Sequence, residues 1–198
     1  MAAIVVCCAL VVAAPLGADT PAASNDENLI SNGNFEQLAP RESSRPAGWY
    51  FVQQAQRVEA DGAPRGRHFL RFDNAVPGRA ARAQQHVRLD GREVRAIDVS
   101  AVVATRDVEP GQALAERPAV RVSFYDEDDI ELGQEVLGPW SGTRDWSRDS
   151  SRIVVPGRAR LMLVEIGLGG GTGRADFDDV QVVPAAQNPT ALPRRIGK

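Results

Sequence analysis

Between residues 49 and 183 the apolar residues never sustain helical spacing; they fall into short runs of period two, separated by turn signals. In the run over 84–89, Gln85, Val87 and Leu89 share one side and Gln84, His86 and Arg88 the other. Ile97, Val99, Ala101 and Val103 form the inner set of 94–105. Val120, Val122 and Phe124 do the same in the next run, leaving Arg121, Ser123 and Tyr125 outside. Asp90-Gly91, Pro110-Gly111, the acidic turn at 126–129 and the glycine-rich turn at 169–173 punctuate the series. Further strands are expected at 49–52, 68–73, 130–137, 153–157, 160–168 and 175–183, with loops at 39–48 and 140–151. Half-apolar strands of this kind bury their faces by packing one sheet on another. The pattern therefore predicts an all-β fold, a two-sheet antiparallel β-sandwich.

The stretch NLISNGNFE at 28–36 reads as a first strand running into a turn. Leu29 and Ile30 enter the core, Asn32-Gly33 supplies a residue tolerant of positive φ, and Phe35 points inward. Glu36 sets a carboxylate at the mouth of that turn. A second acidic group waits near the far end, at Asp176, Asp178 and Asp179.

A chain of 198 residues, 43% of them hydrophobic, is long enough for one well-buried domain, placed at 28–183. The net charge of -3 leaves no polybasic footprint, so nucleic acid is not an expected partner. Residues 2–14 form an apolar run ending in Pro-Leu-Gly-Ala at 15–18. It has the length of a signal-peptide core and falls short of the roughly 20 residues that span a bilayer. A leader over 1–18 is expected, with no stable membrane insertion and a secreted, periplasmic or cell-surface location. Cys7 and Cys8 both lie inside that run, so the exported chain would hold no disulfide and would rely on its core or a bound ion. Residues 19–27 are expected to be a flexible lead-in, 184–198 a disordered tail, and the protein a monomer.

Nothing places a nucleophile beside a base. His68 and His86 sit inside strand runs without metal spacing, and no Gly-x-Ser-x-Gly elbow occurs. The turn at 169–173 lacks the Lys-Ser/Thr ending of a phosphate loop, and Asp126-Glu-Asp-Asp129 reads as a solvated hairpin tip. No enzyme is expected.

The ordered series NLISNGNFE (28–36), PAGW (46–49), GRHFL (66–70), QHVRL (85–89), VRVSFYD (120–126), Trp146, Val155-Pro156 and FDDV (177–180) resembles the jelly-roll carbohydrate-binding modules. The groups numbered four, nine, sixteen and twenty-two, of the galactose-binding-like type, are most similar in pattern. The resemblance implies a jelly roll with adjacent first and last strands, and a poly- or oligosaccharide ligand. It also implies a structural Ca2+ held by Glu36 and by Asp178 or Asp179, with backbone oxygens from near Asn34 and from 66–68. Strict alternation puts Phe177 and Asp179 on one face and Asp178 with Val180 on the other, which does not select the ligand; the family pattern favours Asp178.

Sugar contact needs flat aromatic faces and hydrogen-bonding groups. Trp49, Tyr50, Tyr125, Trp140 and Trp146 are the rings on offer, and Arg71, Gln84, Arg121 and Glu165 the polar groups. Trp49 and Trp146 stand where the family packs aromatics against the sandwich, so Tyr125 and Trp140 are the preferred stacking rings. The alternative reading is an extracellular structural or protein-interaction β-sandwich without sugar affinity.

Overall fold

The computed structural model describes residues 28–41 and 44–186. The expected leader, the lead-in and the tail beyond residue 186 lie outside that range. Ten strands follow in order: β1 Tyr50–Gln53, β2 Ala55–Glu59, β3 His68–Asn74, β4 Ala81–Arg88, β5 Ala96–Glu109, β6 Ala119–Tyr125, β7 Glu131–Leu137, β8 Gly142–Val154, β9 Leu161–Gly169 and β10 Thr172–Pro184. One short 3-10 turn, Leu114–Glu116, interrupts the series. Hydrogen bonding assembles a first sheet in the order β1-β4-β9-β6-β7 and a second in the order β2-β3-β10-β5-β8, with antiparallel neighbours throughout. The two-layer sandwich read from the alternation is therefore the architecture found.

The inner faces meet as alternation requires. Val120, Val122, Phe124, Met162, Val164 and Ile166 of the first sheet oppose Leu70, Phe72, Ile97, Val99, Val103 and Phe177 of the second. Phe177 lies edge-on to both Phe72 and Trp140, with ring centroids 5.6 Å apart in each pair. Gln85, on the core side of β4, is only 5% exposed and satisfies itself on the opening segment: it accepts from the Ser31 amide at 2.7 Å and donates to the Ser31 carbonyl at 3.1 Å.

Three expectations are corrected. Residues 28–36 are not a strand; they run as bends beside the end of β10, through Leu29 N–H to Val182 O at 2.8 Å and Val180 N–H to Gly33 O at 3.0 Å. Of the pair Asn32-Gly33, Asn32 takes the positive φ (50°), and Phe35 takes another (56°). Glycine is needed at 33 for a different reason, since a Cβ there would stand 2.0 Å from the Val180 carbonyl oxygen.

The polar stretch expected as a loop at 140–151 is largely β8, an edge strand. Along its ladder to β5 stand Arg144, Ser147, Arg148, Asp149, Ser150, Ser151 and Arg152, so the strand has no apolar signature of period two. At its far end β10 reaches Pro184, and the Ala185 amide donates to Ala96 O at 2.9 Å.

The third correction concerns the closing strand. Asp178 pairs with Val102 but Gln181 with Ser100, so β10 carries one extra residue there, and Asp179 takes φ 43°. This β-bulge shifts the alternation: Phe177 and Val180, three apart, both enter the core.

Candidate functional site

The register of the first sheet lines up side chains on its outer face. Tyr50 stands opposite Gln84, Gln84 opposite Glu165, Glu165 opposite Arg121, and Arg121 opposite Val136. The next rows are His86, Leu163, Ser123 and Gln134, then Arg88, Leu161 and Tyr125. Glu165 is the hub. One carboxylate oxygen accepts from Gln84 Nε2 at 2.6 Å and Arg82 NH1 at 3.2 Å, and the other from Arg121 NH1. Arg121 NH2 donates to Leu114 O at 3.0 Å, so the 3-10 turn lies against this end of the face. Glu165 and Arg121 are buried although they face outward, and Arg121 Nε–H is enclosed without an acceptor. An unmet buried donor of this kind costs about 1–3 kcal/mol.

Four residues proposed from the sequence, Tyr50, Gln84, Arg121 and Tyr125, thus share this face with Glu165. The others do not join them. Trp49 is 0% exposed, packed on Phe35 at 5.5 Å with its Nε1 donating to Asn32 O at 3.1 Å. Trp140 is 5% exposed and bonds Asp149 Oδ2 at 2.7 Å. Neither ring offers a face to a sugar, and for Trp140 this overturns the preference given to it.

Arg71 lies on the other sheet, locked fork-to-fork on Asp176 by two bonds of 2.8 Å. Arg82, Ser123 and Gln134 were missed. The signal for Arg82 was present, because it alternates with Gln84 two residues on. The acidic hairpin is more structured than a solvated tip: Asp126 is buried and caps the turn, accepting from the amides of Asp128 and Ile130 at 3.1 and 3.0 Å.

The acidic clasp forms, with different partners. Glu36 Oε1 accepts from the amides of Arg67 and His68 at 2.7 and 2.8 Å, and Oε2 meets His68 Nδ1 at 2.7 Å. Burial alone would raise the Glu36 carboxyl; the Arg67 amide, then the His68 ring, amide and charge, outweigh it and hold it below its ordinary value. Asp178, fully buried under the same loop, accepts, among the described residues, from the amides of Arg65 at 2.7 Å and Asp179 at 2.6 Å. Burial, opposed by those amides and reinforced by the charges of Asp179 and Glu36, pushes its carboxyl up to about 7. Asp179 points elsewhere, onto Arg148, Arg65 and Gln181. Asn34 lines, with Arg65 and Asp179, a cavity of about 370 Å³ beside the opening segment.

Among the described residues no three His, Cys, Asp or Glu side chains converge as a metal cage. Calcium needs only two carboxylates where carbonyls complete the shell. Glu36 and Asp178 fit that demand, Asp178 best, since it is buried and its partners among the described residues are backbone amides. Asp179 fits poorly because arginines already hold it. The expected oxygens from 66–68 are not what Glu36 meets there. Its contacts are amide donors, and the Arg67 carbonyl is taken by the Ala60 amide at 2.9 Å.

No family model and no curated protein matched the sequence. Solved structures do share its fold. A family 16 carbohydrate-binding module superposes with a TM-score of 0.55 at 18% identity, covering 79% of this chain and 99% of that one. The enzymatically active domain of tailspike protein 4 from bacteriophage CBA120 gives 0.57 at 12% identity, over 82% of this chain and 22% of that one. A Stig cyclase, Fisc from Fischerella sp. TAU, gives 0.50 at 17% identity, over 80% and 98%. The chain thus spans about a fifth of the tailspike chain and nearly the whole of the other two. At these identities the comparisons establish the fold: this chain has the jelly-roll β-sandwich that a carbohydrate-binding module has.

Proposed function

We propose that this chain is an exported, non-catalytic carbohydrate-binding module that takes a poly- or oligosaccharide across the outer face of the first sheet. The observation that carries the reading is the transverse row Tyr50, Gln84, Glu165 and Arg121, in which a carboxylate is oriented by two guanidinium groups and an amide. Sugar hydroxyls both donate and accept. A fixed carboxylate, an amide and the half-exposed Arg82 guanidinium, with Tyr50 and Tyr125 at the margins, answer both needs. The likeness to a binding module supports this reading, and the absence of a nucleophile–base pair in the sequence agrees with it.

We further propose a structural Ca2+ between Glu36 and Asp178, with the Asn34 segment as the source of carbonyl oxygen. The ion would hold Asp178 ionised and tie the opening segment to β10.

Retention of the full chain on a panel of plant and microbial polysaccharides, in calcium, tests the function. Retention on at least one is expected, weakened about tenfold by Gln84→Ala and by Tyr50→Ala, each the loss of one directed contact. Retention on none, or variants that bind as the parent does, would overturn the site. The enclosure of Trp49 and Trp140 leaves few rings for stacking. That favours a protein-interaction sandwich as the second reading if every polysaccharide fails.

A further inference from the structure

The outer face of the second sheet holds a cavity of about 270 Å³ that the sugar row does not use. Its apolar wall is Trp146, half-buried and edge-on to Phe69 with centroids 5.3 Å apart. Around it stand Arg71, Arg106, Arg144 and Arg174, against only Asp145 and Asp176. The chain as a whole is acidic, so this concentration of positive charge is local.

The arginines are not equivalent. Arg71 is locked on Asp176. Arg174 pairs with Asp73 at 2.9 Å and Arg144 with Asp149 at 2.8 Å, and neither aspartate lines the cavity. Arg106 is exposed and makes no ion pair or hydrogen bond among the described residues. Its cross-strand partner is Arg174, directly opposite on β10. Like charges facing each other across a ladder destabilise a sheet, and an anion between them removes the penalty.

We propose that this cavity binds the carboxylate-bearing ring of a uronic acid unit. The indole of Trp146 takes the apolar face of the pyranose, and Arg106, supported by Arg174 and Arg144, takes the carboxylate. The volume suits a single ring, being at the small end of ligand pockets. An inorganic anion would leave the indole unused, and a neutral sugar would leave the guanidinium pair opposed. The inference does not rest on the reading of the other face.

Calorimetric titration of the full chain with trigalacturonate and with neutral galactotriose tests it. Trigalacturonate should bind at least about tenfold more tightly than the neutral trisaccharide. That preference should vanish near 1 M salt, where screening reaches ~3 Å. Arg106→Ala, at an exposed and unpaired position, should cost about tenfold without lowering the melting temperature. Trp146→Leu should also weaken binding. Equal affinity for the two trisaccharides, no binding of trigalacturonate, or a loss caused by Gln84→Ala with none from Arg106→Ala would each overturn the proposal. The last outcome would place the uronate on the first sheet instead.

Discussion

Gly33→Ala is expected to lower the free energy of unfolding by about 3 kcal/mol or more in urea titrations, while Gly62→Ala stays within about 0.5 kcal/mol of the parent. The added methyl at 33 would sit 2.0 Å from the Val180 carbonyl oxygen and 3.0 Å from its carbon, whereas nothing lies within 4 Å of the same atom at 62. Backbone on both sides must then separate. The bonds between Val180 and Gly33 and between Leu29 and Val182 go with that separation, and so does the docking of Ile30 and Phe35, which are 3% and 0% exposed. A Gly33→Ala protein as stable as the parent would show that the opening segment is not clasped to the closing strand at all.

In the presence of chelator, Asp178 should take on the order of 4 kcal/mol from the protein's stability between pH 4 and pH 7, a contribution that Asp178→Asn removes. The sign follows from Asp178. Its folded pKa of about 7 stands above the ordinary 3.8, so between those values the native state binds the extra proton, and stability falls as pH rises until it levels above 7. Glu36 acts oppositely and lower. Its depressed pKa contributes stability above 4.5 that is lost as pH falls through its folded value.

Asp178→Asn should flatten the upper slope and melt higher than the parent at pH 8 without calcium. Calcium should restore the parent selectively at pH 8, by ~2.7 kcal/mol at a hundredfold excess over its dissociation constant, and leave Asp178→Asn unmoved. Melting curves at pH 5 and pH 8, with and without chelator, read all of this. A pH 8 curve that chelator does not shift removes the ion.

The inner faces were legible because burial on one side of a strand writes itself as period two; β4, β5 and β6 carry that mark plainly. The edge strand β8 did not, since Arg144, Arg148 and Arg152 are ion-paired residues on a strand with little core to meet. The bulge at Asp178 and Asp179 was invisible for a related reason. A single inserted residue changes parity without changing composition.

Alternation also tells which residues share a face, but not which sheet they belong to. Arg71 and Gln84 therefore looked equivalent and lie on opposite sides of the molecule. Trp140 looked exposed because its neighbours Pro139 and Ser141 are polar or turn-forming. Its burial depends on Phe177 and Asp149, which no local pattern reveals.

The strand order has a consequence in time. β9 lies in the middle of the first sheet and β10 in the middle of the second, yet these are the last two of the described strands to be synthesised. Until they emerge, β4 and β6 have no partner between them, and β3 and β5 face a gap. Folding of such a chain waits for its own completion, because closing long sequence separations precedes any reward from them. Until residue 184 has been made neither sheet can close, so partial chains that stop short of β9 are expected to lack the cooperative unfolding of the full domain.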